Sequence, residues 1–457
     1  MPIEQACYWL ATRPEHSTES LAGDRRADVT IIGAGLTGLW TAIFLKELEP
    51  ALSVAILERE TSGYGASGRN AGILGETLDH SHELAAAHFG AAEARELARL
   101  GRENLDELAL FLEKHRIDAE LTRVGQLVMA LTPAHVTQLK ASVAFARDLG
   151  IDDWRFLSAD EARAQVHSPL YLGALLMPKS GILHPIKLLE GLRDEAIRRG
   201  VRIFEHTSVV GLTFPRGGVR TRTPAGTVSS EKAVLATNAY THLLWPGLLN
   251  RFLPLYDYIL VSEPLTPSQR ESIGWSQNLG VTDARNFFNY YRLTSDGRLL
   301  WGTSEAVYYR GNRVDRSCDH SAVHYASLQA SLRRHFPHLS DLAFRYAWGG
   351  AICSTTRLTP FFGSAAGGRL CYGLGYTGHG LGSTRLAGRI LAHLTLGRGS
   401  PLLELSMVKR RPLPYPPEPL RAPAVNLVTR ALRRVDAGGR RGVLLRVLEK
   451  LGVGFSS

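Results

Sequence analysis

The chain has 457 residues, 44% hydrophobic and with 45 glycines, more than one ordinary domain needs and in keeping with a large α/β protein. Its four cysteines, Cys7, Cys318, Cys353 and Cys371, lie far apart with no CxxC spacing, which argues against a zinc site or a disulfide framework and fits a reducing, cytoplasmic setting. No apolar run approaches the ~18 residues of a membrane span, and the start, Met1 to Gln5, lacks a basic segment followed by an apolar core, so export is not expected.

In chain order, Val29-Thr30-Ile31-Ile32 is a short β-rich run that stops at Gly33-Ala34-Gly35-Leu36-Thr37-Gly38 and passes into the helical Leu39 to Leu45. That is a strand feeding a helix through GxGxxG. Gly33 permits the tight turn, Gly35 lets a pyrophosphate approach the backbone, and Gly38 lets helix and strand pack closely; Leu36 and Thr37 begin the helix whose N–H groups face the phosphates. Ser53 to Leu57 is a second strand. It ends in Glu58, 20 residues beyond Gly38, where a carboxylate accepts a ribose hydroxyl, and Arg59 follows. The next segment, Gly63 to Gly72, is too glycine-rich for a helix and too polar for a core strand. A loop of that kind lies against a flat ring system.

Strand, glycine turn, helix, acid and the run GYGASGRNAG together resemble the D-amino-acid oxidase-like FAD-dependent oxidoreductases, which include glycine and sarcosine oxidases. With Tyr8-Trp9-Leu10 added, the chain most resembles the gamma-glutamylputrescine oxidoreductase-like branch, from about Tyr8 to Gly397. The resemblance implies FAD, held noncovalently, and Gly65, Ala66, Ser67, Arg69, Asn70, Ala71 and Gly72 as its second glycine loop. It further implies a Rossmann-type FAD-binding domain interleaved with an antiparallel-sheet α+β substrate domain: FAD-binding segments at 1–80, 181–250 and 346–400, a mainly helical substrate-domain segment at 81–180, and the substrate sheet at 251–345.

Beyond the loop, Glu83 to His115 carries helical spacing, about Pro133 to Leu149 suits a second helix, and Ser158 to Glu161 looks like a capped start of a third. Ile186 to Arg199 is helical and Val201 to Glu205 a strand. In the resembled family the chain here returns to the cofactor: Val209 matches a position touching adenine, and Ala236, Thr237 and Asn238, at the exit of the strand beginning at Lys232, match a segment closing over the FAD. From Arg251 to Arg345 the period shifts towards two, with strands at Tyr256–Val261, Asn289–Leu293 and Arg298–Gly302, and Tyr258, Tyr290 and Tyr291 as residues available to wall the ring. In the run Tyr372 to Gly382 a last strand passes through glycines into the helical run Ser383 to Leu396; Gly378, His379, Gly380 and Leu381 match the family's contact with the flavin pyrimidine. A helix N-terminus there stabilises the charge of the reduced ring. Cys353 falls where some relatives attach flavin covalently, but its neighbours match the noncovalent branch.

The implied chemistry is oxidation of a C–H beside an amine nitrogen, with hydride passing to flavin N5 and the imine hydrolysing afterwards. His379, Arg69 and Tyr291 are the candidate catalytic residues, and no metal ligand set is seen. The lysine that activates oxygen in sarcosine oxidase-type members has no counterpart in Arg298 to Gly302, which leaves the acceptor as oxygen or another oxidant. Residues 401–457 hold 11 Lys and Arg against 4 Asp and Glu, a share of +7 in the chain's net +10. A proline-rich stretch followed by two amphipathic runs reads as a basic C-terminal helical tail that docks on the body, meets a partner, or lies on an anionic membrane. Two other functions fit the same residues: a flavin enzyme acting on modified tRNA, suggested by a pI of about 9.5 but lacking an RNA-binding module, and a noncatalytic flavoprotein. Composition is silent on oligomeric state.

Overall fold

The computed structural model describes residues 3–455 except 17 and 79; positions 1, 2, 456 and 457, the outer ends of the expected first and last segments, lie outside them. β1 (Val29–Ile32), α1 (Leu36–Leu48) and β2 (Val54–Leu57) form the expected unit. The helical pattern at 83–115 divides into His82–Phe89 and α2 (Ala91–Lys114), because Gly90 takes φ +87° between them. β3 (Gln126–Ala130), β4 (Arg155–Leu157) and β5 (Gly173–Met177) follow, then α3 (Pro185–Arg198), β6 (Arg202–Phe204) and β7 (Lys232–Leu235). β8 (Leu253–Pro264), β9 (Gly280–Asp283), β10 (Asn289–Leu293), β11 (Arg298–Thr303) and β12 (Phe344–Ser354) come next. β13 (Phe361–Ala365), β14 (Leu370–Leu374) and α4 (Gly380–Leu396) complete the body, and α5 (Arg421–Asp436) and α6 (Val443–Lys450) form the tail.

Two large sheets carry the chain. The first runs β13-β14-β7-β1-β2-β6 and is parallel except at β13. β1, β2 and β14 are buried at every position, as strands covered on both faces must be. α1 and α4 pack closely over this sheet because Gly388 stands where a Cβ would come within 2.6 Å of the Cβ of Trp40, a fully buried side chain.

The second sheet runs β12-β8-β11-β10-β9-β3-β5-β4. It is mixed, since β9 pairs β3 in parallel, and three of its strands come from the region read as mainly helical. Those strands are three to five residues long, too short for their alternation to stand out against the helices around them. Along β8 the residues alternate: Tyr256, Tyr258 and Leu260 are fully buried in a core on one face, while Leu255, Asp257 and Ile259 turn to the other. That second face looks onto the cavity between the sheets.

The tail packs on the body. Asp436 accepts the N–H groups of Asn286 (2.8 Å) and Phe287 (2.9 Å), Arg433 pairs with Glu305 at 2.5 Å, and the N–H of Gly454 donates to Thr356. Arg421, 1% exposed, donates to the carbonyl of Pro416 and the side chain of Asn312. Among the described residues no helix is long and apolar enough to cross a membrane.

Candidate cofactor and active site

The two sheets enclose one cavity of about 1190 Å³. Gly33 and Gly35, the first turn of α1, Glu58, the loop from Gly63 to Ala71, the exit of β7 and the start of α4 all line it, facing the second sheet and tail residues such as Val428 and Leu432. The glycine turn is built as read. Gly33 has φ +105° and a Cβ there would sit 2.8 Å from the carbonyl of Ala236; a Cβ on Gly38 would come within 2.0 Å of the Gly33 carbonyl. Gly38 therefore faces away from the cavity and holds helix to strand. Glu58 accepts N–H bonds from Ala34 (2.8 Å) and Glu60 (3.0 Å), which fix its carboxylate at the end of β2. Burial outweighs those bonds and raises its pKa.

The second loop locks itself. Asn70 donates to the carbonyls of Ala66 and Ser67 and accepts from the N–H of Gly72, while Ser67 Oγ accepts from Leu36 N–H at 3.0 Å and ties the loop to α1. Gly72, at φ +73°, lies outside the cavity against Leu183, whose carbonyl a Cβ would meet at 2.3 Å. Arg69 lines the cavity with its stem, but its guanidinium donates to Tyr64 and Gly349 carbonyls and pairs with Asp319 at 3.0 Å. It fastens the loop to the second sheet. Arg59 lies over the Tyr240 ring, and Val209, Ala236, Thr237 and Asn238 line the same end, Asn238 accepting from the N–H of Gly375.

At the start of α4, Gly378, His379, Gly380 and Leu381 line the cavity together with Thr384. Nδ1 of His379 and Oγ1 of Thr384 are buried without a hydrogen-bond partner. Polar atoms left so in a cavity wall call for a polar ligand, and with the two glycine cradles and two helix N-termini the donor set suits a dinucleotide carrying a polar ring. His80 packs on His379 with ring centroids 4.1 Å apart and lies 2.6 Å from the carbonyl of Thr377. Burial pushes both imidazoles below their ordinary pKa, so both stand neutral. His80 sits in an irregular loop without a motif, and nothing in the sequence marked it.

Tyr291 is corrected by the structure. It is fully buried on the far face of the second sheet, stacked on Trp301 at 4.4 Å with its hydroxyl 2.5 Å from that of Tyr171. Tyr258 shares that face, its hydroxyl donating to the carbonyl of Cys318. The cavity wall takes Tyr290 instead, one residue away, because a strand turns successive side chains to opposite faces. Tyr290 donates to both carboxylate oxygens of Asp257 at 2.8 Å. Asp257, flanked by tyrosines in an apolar strand, went unread because its facing depends on the sheet. Cys353 lines the cavity, but burial raises its thiol well above the ordinary range, which disfavours the nucleophilic thiolate.

A family model described as FAD dependent oxidoreductase, DAO, matches residues 28–394. The chain is 30% identical to the gamma-glutamylputrescine oxidoreductase of Escherichia coli over 87% of this chain and 90% of that one. It is equally 30% identical to the probable oxidoreductase OrdL of Haemophilus influenzae, over 85% and 88%. Among solved structures, glycine oxidase from Geobacillus kaustophilus superposes with a TM-score of 0.70 at 22% identity, over 84% of this chain and 99% of that one.

Proposed function

We propose an activity from one premise: the chain belongs to the DAO family of FAD-dependent oxidoreductases. It is an enzyme that oxidises a C–N bond of a small amine or amino acid. The observation that carries this reading is the cavity itself, in which two glycine cradles and two helix N-termini face a sheet wall where Leu255, Ile259 and Tyr290 stand around Asp257. Bound FAD supplies a hydride acceptor, chemistry that no side chain of the cavity has.

The chain's own residues have separable tasks. Gly33, Gly35, Leu36 and Thr37 would hold the pyrophosphate at the N-terminus of α1, and Glu58 a ribose hydroxyl. Val209, Ala236, Thr237 and Asn238, with Arg59, would close over the adenosine end, and Gly65 to Ala71 would back the ring. The α4 N-terminus, with Gly380 and Leu381 behind Gly378 and His379, would stabilise negative charge developing at the pyrimidine side. Neutral His379 adds a polar edge without a charge, and Arg69 acts by positioning the loop. Leu255, Ile259 and the tail residue Leu432 exclude water from the reacting amine, which has to be neutral when hydride leaves. Binding is noncovalent, in keeping with the neutral Cys353 thiol. The division into cofactor segments at 1–80, 181–250 and 346–400 is part of the same proposal.

Anaerobic mixing with a panel of amines, amino acids and aminophosphonates is expected to bleach the visible flavin band for at least one member. Reoxidation by oxygen or by a quinone then identifies the acceptor. If the flavin stays oxidised against the whole panel, amine oxidation is the wrong reaction.

A further inference from the structure

Among the described residues, Asp257 is the one carboxylate of the cavity wall whose charge nothing around it answers. Glu58 is held by two backbone N–H groups, Glu76 pairs with Arg102 at 3.1 Å, Asp283 pairs with Arg285 at 2.6 Å, and Glu83 is solvent-exposed. Asp257 makes no ion pair among the described residues and has only the Tyr290 hydroxyl. Burial, opposed only by that hydrogen bond, pushes its pKa up to about 7.

The site is built across four strands. Tyr290 on β10 reaches Asp257 on β8 by lying across β11, which is open to it because residue 302 is glycine: a Cβ there would come within 2.1 Å of the Tyr290 ring. On the other side Asp257 pairs in register with Gly350 of β12, again without a side chain, beyond which lies the stem of Arg69. The two glycines thus let the Tyr290 ring and the Arg69 stem lie on either flank of one carboxylate. Of the two arginines lining the cavity, Arg69 is held by Asp319 and two carbonyls and Arg59 lies on Tyr240 at the far end, so neither is placed to clamp a substrate carboxylate here.

We propose that Asp257 and Tyr290 form a cation subsite that takes a second, non-reacting ammonium group of the substrate, making the substrate class a diamine or longer polyamine. The inference rests on the amine-oxidation reading. A carboxylate favours the protonated form of any amine beside it, whereas the nitrogen that loses hydride from its neighbouring carbon has to be neutral; the group at Asp257 is therefore a different one. Tyr290 fixes the carboxylate in place, and a substrate ammonium would supply the charge-assisted hydrogen bonds it lacks.

The test uses the FAD-loaded full chain and two readouts. n-Butylguanidinium, a cation that stays charged and donates N–H bonds to carboxylates, is titrated against the flavin spectrum, and 1,4-diaminobutane is compared with butylamine in anaerobic flavin reduction. Asp257→Asn is expected to weaken guanidinium binding by about thirtyfold or more and to erase a wild-type preference for the diamine. Unchanged guanidinium binding in Asp257→Asn, or amine oxidation with no diamine preference in the wild type, overturns the subsite while leaving the proposed reaction standing. Asp257-dependent guanidinium binding with no reduction by any amine does the reverse. Should Asp257→Asn not load flavin, Tyr290→Phe decides: losing the hydroxyl that fixes the carboxylate is expected to weaken guanidinium binding and to move its fall to higher pH, and unchanged binding with an unchanged pH profile overturns the subsite.

Discussion

A one-residue step along β10 separates a side chain that meets the cavity from one that never sees it. Tyr291 stacks on Trp301 behind the sheet while Tyr290 crosses Gly302 to Asp257 in front. The same parity turns Asp257 forward between Tyr256 and Tyr258. At this scale the pH dependence of cation binding follows from Asp257. The groups facing it are the Tyr290 phenol, whose pKa burial raises well above its ordinary range, and the Arg69 stem behind Gly350, whose charge Asp319 answers. With its pKa raised to about 7, Asp257 is charged above that value and neutral below it. Butylguanidinium affinity should therefore be full at alkaline pH and fall as pH drops through about 7, by roughly tenfold per unit once the carboxyl is mostly protonated. A flat profile across that range would assign the cation to another group.

Among the elements, α1 and α4 bring their N-termini to one cavity because each follows a parallel strand of the first sheet through glycines, and crossover connections of that kind place the turn at the strand's carboxyl end. The tail is the element that sequence left least determined. Its helices turn Val425, Val428 and Leu432 of α5 and Leu448 of α6 to the cavity, bury Leu445, and leave Leu427, Val443 and Val447 exposed. Truncating residues 411–457 deletes the buried Leu432 and Leu445, exposes the apolar surface they cover at a cost of about 25 cal/mol per Å², and uncovers one side of the cavity. The expected outcome is a lower unfolding temperature and stronger binding of an apolar dye. The full chain should not sediment with anionic liposomes more than the truncated one. Sedimentation that requires the tail would show its exposed leucine and valines serving a membrane surface.

For the whole molecule, the cofactor is expected to be a large part of the stability. Gly33, Glu58, Val209, Thr237 and His379 come from distant parts of the chain and meet only at the cavity, so a ligand bridging them favours the folded state over the unfolded one. Adding FAD to the stripped protein at a hundredfold excess over its dissociation constant should stabilise it by about 2.7 kcal/mol, read as a rise in unfolding temperature that depends on FAD concentration. A constant unfolding temperature would mean that the folded chain does not bind FAD.

The cofactor half was legible because its requirements are local: a positive φ at Gly33, close approach at Gly38, an acid at a fixed distance after them, and a loop that closes on its own backbone through Asn70 are each written in consecutive residues. The wall facing them was not. Whether Tyr290 or Tyr291 looks inward, whether Asp257 finds a cation, and which strands stand beside β9 depend on register and on pairing between segments more than a hundred residues apart, as where Gly280 meets Gln126. Asp257 owes its neighbours, the Tyr290 ring and the Arg69 stem, to glycines at 302 and 350, which matter only once three neighbouring strands are laid side by side. The sequence by itself determined a dinucleotide cradle, through short-range backbone geometry, and its family resemblance made that dinucleotide FAD; the tertiary structure alone decided what the cradle faces, because the side chains of a sheet acquire a direction only when its strands pair.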